Sequence, residues 1–271
     1  MPLPRGKTMQ YTWQEENSTV AALQPGAVIL SSFPSAGLAT TVAGHYMIRA
    51  LKLPRIGRFE SPDIAPVAIV QGGEVNPTIR VYGRADLGLV LSEFPPTPNQ
   101  ANSIARTILD TARTRKARMI LCLEGIVPHP EDDEPAEGQG TEADSGQVWA
   151  AYSKADPVAR KSFEAAGART LEDGVIGGVS GALLVQGIGR DVPVVTLLVS
   201  ARVAEGLPDH RAGAALIETL DHLLPELRID TQPLRQQAEQ IEKALRAALK
   251  AHAAPAEDTA SPSGPAADMY R

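Results

Sequence analysis

Ala-Val-Ile-Leu-Ser-Ser-Phe-Pro-Ser-Ala-Gly-Leu (27–38) opens on an apolar run, breaks at a Pro- and Gly-containing turn, and leads into Leu38–Leu51, where apolar residues return at helical spacing. An apolar run too short for a helix, then a turn, then an amphipathic helix make one strand-turn-helix unit. The unit recurs. Leu87-Gly-Leu-Val-Leu91 and Met119–Leu123 carry no polar face, as strands covered by helices on both sides must. Pro98 sits where a helix can accept it, at the start of a stretch reaching about Arg113. Between the first and second units, Ile56–Glu60, Val67–Gln71 and Thr78–Tyr82 read as a meander of strands, the last two separated by the turn formers Gly72-Gly73 and Asn76-Pro77.

The second half repeats the alternation. A helical stretch spans about Asp156–Ala166, the turn Gly174–Gly181 feeds a helix to about Gly187, and Val192–Ser200 reads as a strand. Asp209 caps a helix that Pro225 stops after Leu224. A last helix opens at Pro233 and presents Leu234, Ala238, Ile241, Leu245 and Ala248 as a stripe about two heptads long, short for a coiled coil. Packing on its own domain is the first reading of that stripe and a subunit contact the second. Strand-helix alternation of this kind predicts an α/β fold, a three-layer α/β/α sandwich with a largely parallel sheet to which the meander adds antiparallel strands. The expected organisation is an N-terminal extension at 1–24, one domain at 25–253, and a tail at 254–271.

Composition narrows the function classes. The 271 residues carry a net charge of −6 with a pI near 5.5, and no Lys/Arg stripe offers to neutralise a phosphate backbone, so nucleic acid is not an expected partner. The start has no apolar signal-like core and nowhere do about eighteen apolar residues run together, which predicts a soluble, cytoplasmic protein. Cys122, alone of its kind, lies inside an apolar run and reads as core. Pro130–Gln147 carries seven acidic residues and no basic one, interrupted by Pro and Gly, and reads as a solvated mobile loop, with a docking role for a basic surface as the alternative.

Chemical motifs are sparse. Gly174-x-x-Gly177-Gly178-x-Ser180-Gly181 could cradle a phosphate at a helix start, yet it matches neither G-x-G-x-x-G nor a P-loop, and a tight turn accounts for the glycines as well. Ser180 does not stand in G-x-S-x-G. His45, His129, His210, His222 and His252 form no metal-ligand spacing, so neither metal nor cofactor is expected. Ser31, Ser32 and Ser35 beside the first helix could hold an anion, or cap it. No nucleophile-base pair appears at interpretable spacing, which predicts that the protein is not an enzyme.

Several short blocks occur in one order: 27–38, Ile79-Arg-Val-Tyr82 before Asp86-Leu87, Ser92-Glu-Phe-Pro95, Asp173–Gly181, Pro208-Asp209, and Ile229-Asp230 before the last helix. Over about residues 25–250 the series resembles the archaeal and actinobacterial relatives of the second proteasome assembly chaperone. Two departures stand out, Ser35 where the family often has glycine and the long acidic loop from Pro130. The resemblance implies a fold similar to nucleoside phosphorylases, a homo-oligomer expected to be a tetramer, and a non-enzymatic chaperone of the proteasome core particle. It also gives the terminus a meaning. From Ala254 the chain is rich in Ala, Pro, Ser and Gly without periodicity and cannot offset its ordering entropy, so it reads as a disordered tether. Its last residues, Met269-Tyr270-Arg271, match the hydrophobic-Tyr-any tripeptide with which family members and proteasome activators dock between α-ring subunits. Two other functions remain open, a proteasome activator using the same tail, and a nucleotide- or nucleoside-handling enzyme using the first turn and Gly174–Gly181 as a phosphate site.

Overall fold

In the computed structural model, which describes residues 10–16, 23–64, 66–127, 145–154, 156–203 and 207–253, a nine-stranded sheet is sandwiched between two helical layers. Its centre is parallel. β2 (Val28–Ser32) lies between β7 (Leu87–Ser92) and β8 (Met119–Ile126), and β11 (Val194–Ser200) pairs with β8 on the far side. Every residue of β2, β7 and β11 is buried, so the two-faced apolar pattern marks a strand that needs cover above and below.

That cover comes from the helices between the strands. On one face Leu30, Leu89, Leu121 and Leu197 pack with α1 (Ala39–Ala50), α3 (Pro157–Ala165), α5 (His210–Leu223) and the first turn of α6 (Gln232–Ala253). On the other, Ile29, Val90, Ile120 and Val194 meet α2 (Pro98–Thr114) and α4 (Gly178–Gly187). α2 starts where Pro98 suggests it, with a capping box: Gln100 N–H donates to the Thr97 hydroxyl and Thr97 N–H to the Gln100 side-chain oxygen. Leu234 and Ala238 of α6 are buried and Ile241 half-buried, so this part of the stripe packs on its own domain; the side chains of Leu245 and Ala248 lie outside the described residues.

The flanks are antiparallel. β3 (Arg55–Glu60) and β6 (Ile79–Arg84) extend the sheet from β7, and β1 (Thr12–Glu15) closes that edge. Residues 12–15, expected in an N-terminal extension, thus belong to the sheet, with Trp13 packed at 5.7 Å on Phe59 and Tyr11 buried. The meander also differs from its reading. β4 (Ile69–Gln71) and β5 (Glu74–Asn76) form a separate hairpin around Gly72-Gly73, both at positive φ as a two-residue hairpin turn requires. On the opposite flank β9 (Val148–Tyr152) runs antiparallel to β11, and β10 (Ala168–Thr170) pairs parallel to β9 as the last strand.

One ion pair is set deep in this frame. Arg80 on β6 is fully buried; its Nη2 donates to Glu93, which also meets His45 Nε2 at 2.9 Å, and its guanidinium stands 5.9 Å from the Tyr82 ring centre. Arg80 Nε and Nη1 have no hydrogen-bond partner, so Glu93 supplies the hydrogen bond that compensates the buried cation. Burial pushes the Glu93 carboxyl up, but His45 and Arg80 together hold it below the usual carboxylate range. Its contribution is therefore present above the unfolded carboxyl pKa and is lost as acid protonates the folded form. Glu93→Ala is expected to cost about 3–5 kcal/mol at neutral pH, because it strands the guanidinium, while Arg80→Met combined with Glu93→Gln costs much less. Urea unfolding of the three proteins checks this; equal losses for both variants would show the pair to be ordinary packing.

Candidate functional site

Ligands of open α/β sheets gather at the carboxyl ends of the parallel strands, where neighbouring strands send their chains in opposite directions. Here that point lies between β2 and β8, since the chain leaves β2 through α1 for β3 on one side of the sheet and leaves β8 for β9 on the other. The serines of the first turn meet there, and their hydroxyls are largely spent on the turn itself. Ser32 Oγ donates to Thr40 O at 2.9 Å, and Ser35 Oγ accepts from Gly125 N–H at 2.8 Å while lying 3.1 Å from Thr40 Oγ1. Ser31 is buried with no partner for its hydroxyl. These contacts make Ser32 and Ser35 braces between β2, β8 and α1.

Asp209 ties the same edge together. Only 5% exposed, it caps α5 by accepting from Arg211 and Ala212 N–H, and its second oxygen accepts from Ser145 Oγ at 2.6 Å and Arg202 N–H at 2.8 Å. Its own N–H donates to Gly37 O at 2.7 Å. Gly37 has φ of 61°, and a Cβ there would stand 2.6 Å from Arg202 O, so the turn requires glycine on two counts. The Pro208-Asp209 block is thus the clamp of the first turn.

Across the crevice, Gly174–Gly181 enters α4. Gly178 has φ of 62°, and a Cβ on Gly181 would lie 2.1 Å from Ile176 O, so two of its glycines answer to backbone geometry. Ser180 Oγ donates to Glu124 Oε2 at 2.7 Å. Glu124 is a site residue that the sequence reading passed over, although a carboxylate inside Met-Ile-Leu-Cys-Leu-Glu-Gly-Ile (119–126) is the signal that would have found it. Burial pushes its carboxyl up to about 7, against the Ser180 hydrogen bond, which favours the ionised form. Ser and Glu in contact resemble a nucleophile and a base. No histidine or other charged side chain among the described residues enters that contact, and Ser180 is held as a donor to a carboxyl with a neutral form populated near pH 7.

Cys122 is fully buried and its thiol is pushed up to about 12 by that burial, as a core cysteine should be. Among the described residues no group of His, Cys, Asp or Glu could hold a metal ion, and no helix is long and apolar enough to cross a membrane. His129, all of the acidic stretch but residues 145–147, and Met269, Tyr270 and Arg271 lie outside the described residues.

Because the folded Glu124 pKa lies above the unfolded value, the native state binds the extra proton, and its share of stability falls as pH rises from about 4.5 to about 7. Glu124→Gln keeps a hydrogen-bond acceptor for Ser180 and removes the titration. It is expected to leave stability nearly unchanged at about pH 5 and to raise it by roughly 1–3 kcal/mol at about pH 8, measured by urea unfolding. Parallel pH profiles for the two proteins would overturn this.

Comparison with known proteins places this architecture. A curated relative, an uncharacterised protein of Methanocaldococcus jannaschii, is 26% identical over 226 residues, covering 83% of this chain and 86% of the relative. The fold matches Pyrococcus furiosus PbaA, described as an archaeal homolog of proteasome-assembly chaperone, with a TM-score of 0.73 at 24% identity over 89% of this chain and 93% of that one. It also matches Pyrococcus furiosus PbaB, described as an archaeal proteasome activator, with a TM-score of 0.69 at 21% identity over 89% and 99% of the two chains. A family model described as the PAC2 family matches residues 29–249, which span β2 through most of α6 and include both Glu124 and Asp209. The chain belongs to the PAC2 family.

Proposed function

We propose that this protein is a non-enzymatic chaperone that docks its C-terminal tail on the α-ring of the proteasome core particle and assists its assembly. The observation that carries the reading is Met269-Tyr270-Arg271 at the end of a chain whose body is a PAC2 fold. Relatives of that fold are described as a proteasome-assembly chaperone homolog and a proteasome activator. The chemistry of the tripeptide fits: Met269 fills an irregular apolar groove, Tyr270 adds a rigid ring with a hydroxyl, and the terminal carboxylate pairs with a pocket lysine.

The root of the tail supports the same division of labour. α6 is held where it begins: Arg235 Nε donates to Glu218 at 2.5 Å, Thr231 Oγ1 donates to the same carboxylate at 2.9 Å, and the Tyr46 hydroxyl donates to Asp230 O at 2.6 Å. Beyond Ala253 the eighteen residues 254–271 could extend to about 60 Å and would average roughly 24 Å as a flexible chain. A body fixed on one side of a subunit therefore leaves the tripeptide free to find a pocket. One tripeptide binds weakly, and several on a homo-oligomer, taken here as a tetramer in the cytoplasm, gain by effective concentration.

A second reading keeps the tail and changes the outcome. The likeness to PbaB favours an activator that opens the gate of finished particles. Binding to isolated α-subunits belongs to assembly, and stimulated peptide hydrolysis by finished core particles belongs to activation.

Tyr270→Ala, or deletion of 269–271, is expected to weaken binding to core particles at least about thirtyfold by surface plasmon resonance, the loss of one buried aromatic anchor. Folding and oligomeric state should not change. One residue added after Arg271 should do the same by moving the carboxylate. Unchanged affinity in all three would remove the docking role. Ser180→Ala is expected to leave proteasome binding intact and to abolish nothing, because no turnover of nucleosides or ATP is expected of the parent; a saturable turnover lost with Ser180 would establish the enzyme instead.

A further inference from the structure

At the far flank of the sheet, beyond β10, a knob and a hole stand side by side. The loop from β10 to α4 carries Val175, whose exposure is complete, an unusual position for a branched apolar side chain with no local contact. Next to it opens a cavity of about 320 Å³ whose walls include Ile176, Leu184 and the 68%-exposed Val185.

The same cavity carries both charges without pairing them. Arg160 lies over the Tyr152 ring at 5.6 Å, and Tyr152 is braced edge-on by Phe163 at 5.5 Å, so the guanidinium is held in place by stacking. No carboxylate among the described residues pairs with Arg160, and its Nε is buried without a hydrogen-bond partner. Asp173 lines the same cavity beside Glu172, exposed and likewise without an ion pair among the described residues.

We infer that this face, built from the loop 171–177, the start of α3 and the outer side of α4, is a two-fold interface between copies of this chain. A two-fold contact requires one patch to complement itself, with each group meeting its counterpart's partner. This patch has that property twice. Val175 of each copy enters the cavity of the other, and Arg160 of each faces Asp173 of the other. A patch of one sign, or a hole without a knob, would call for a different partner. The inference rests on the homo-oligomer in the functional proposal above and assigns it a surface, one separate from the α6 stripe.

Sedimentation velocity on the full-length protein across the micromolar range tests the assignment. Val175→Asp is expected to weaken self-association at least about tenfold while the protomer keeps its fold by circular dichroism, since this side chain packs against nothing within its own chain. Arg160→Glu and Asp173→Arg should each weaken association, and the two together should restore it, a rescue that simple loss of packing would not give. A wild-type protein that stays monomeric overturns both the interface and the oligomer. An oligomer indifferent to Val175→Asp and to the charge exchange overturns the interface alone, and proteasome binding measured on the same variants keeps the docking reading separate.

Discussion

Four adjacent parallel strands with no polar side to offer water constrain everything else in this molecule. β7, β2 and β11 bury every side chain and β8 buries most of its own, so a single helical layer would leave half of that surface wet. Two layers solve the problem, and the chain must then cross the sheet repeatedly. Each crossing leaves a loop at one end of the strands. The carboxyl ends accordingly collect the turns that Asp209, Ser35 and Glu124 tie together, and the clamps are a result of the topology as much as of any ligand.

The strands with two buried faces were legible because burial leaves only one kind of residue. Val28–Ser32 and Leu87–Ser92 announce themselves without any partner being known. Edge strands do not. Thr12–Glu15 is mostly exposed and polar, and Ala168–Thr170 is three residues long, so their identity as strands lies in β3 and β9, which hydrogen-bond to them. Caps were legible for a local reason: Asp209 and Pro98 act within one turn of their own helices. Glu124 was not, since its meaning depends on Ser180, fifty-six positions away and brought near only by the packing of α4 on the sheet. The tripeptide at 269–271 stands at the other extreme. Its proposed role would need no fold, since recognition of an extended end depends on the residues themselves.

The polar groups of the body are largely spent on its own architecture. Glu124 and Ser180 satisfy each other, Ser32 and Ser35 brace a turn, and Cys122 is sealed in the core. Under the function proposed above, a scaffold of this sort would contribute distance and stoichiometry, setting how many tails arrive together and from where.

The Asp209 clamp has a consequence for how such a chain can diversify. Residues 127 and 145 bracket a seventeen-residue stretch of sequence, and the returning end is fastened by Ser145 to Asp209 and by Gly146 N–H to Ser200 O. Whatever lies between enters from β8 and is delivered to β9 at a fixed point. For a flexible connection each doubling of length costs only about 0.6 kcal/mol, far less than the core could lose without unfolding. The position between β8 and β9 is therefore a port in the architecture, a place where evolution or an engineer can splice in a peptide, a tag or a whole module and leave register and layers as they were.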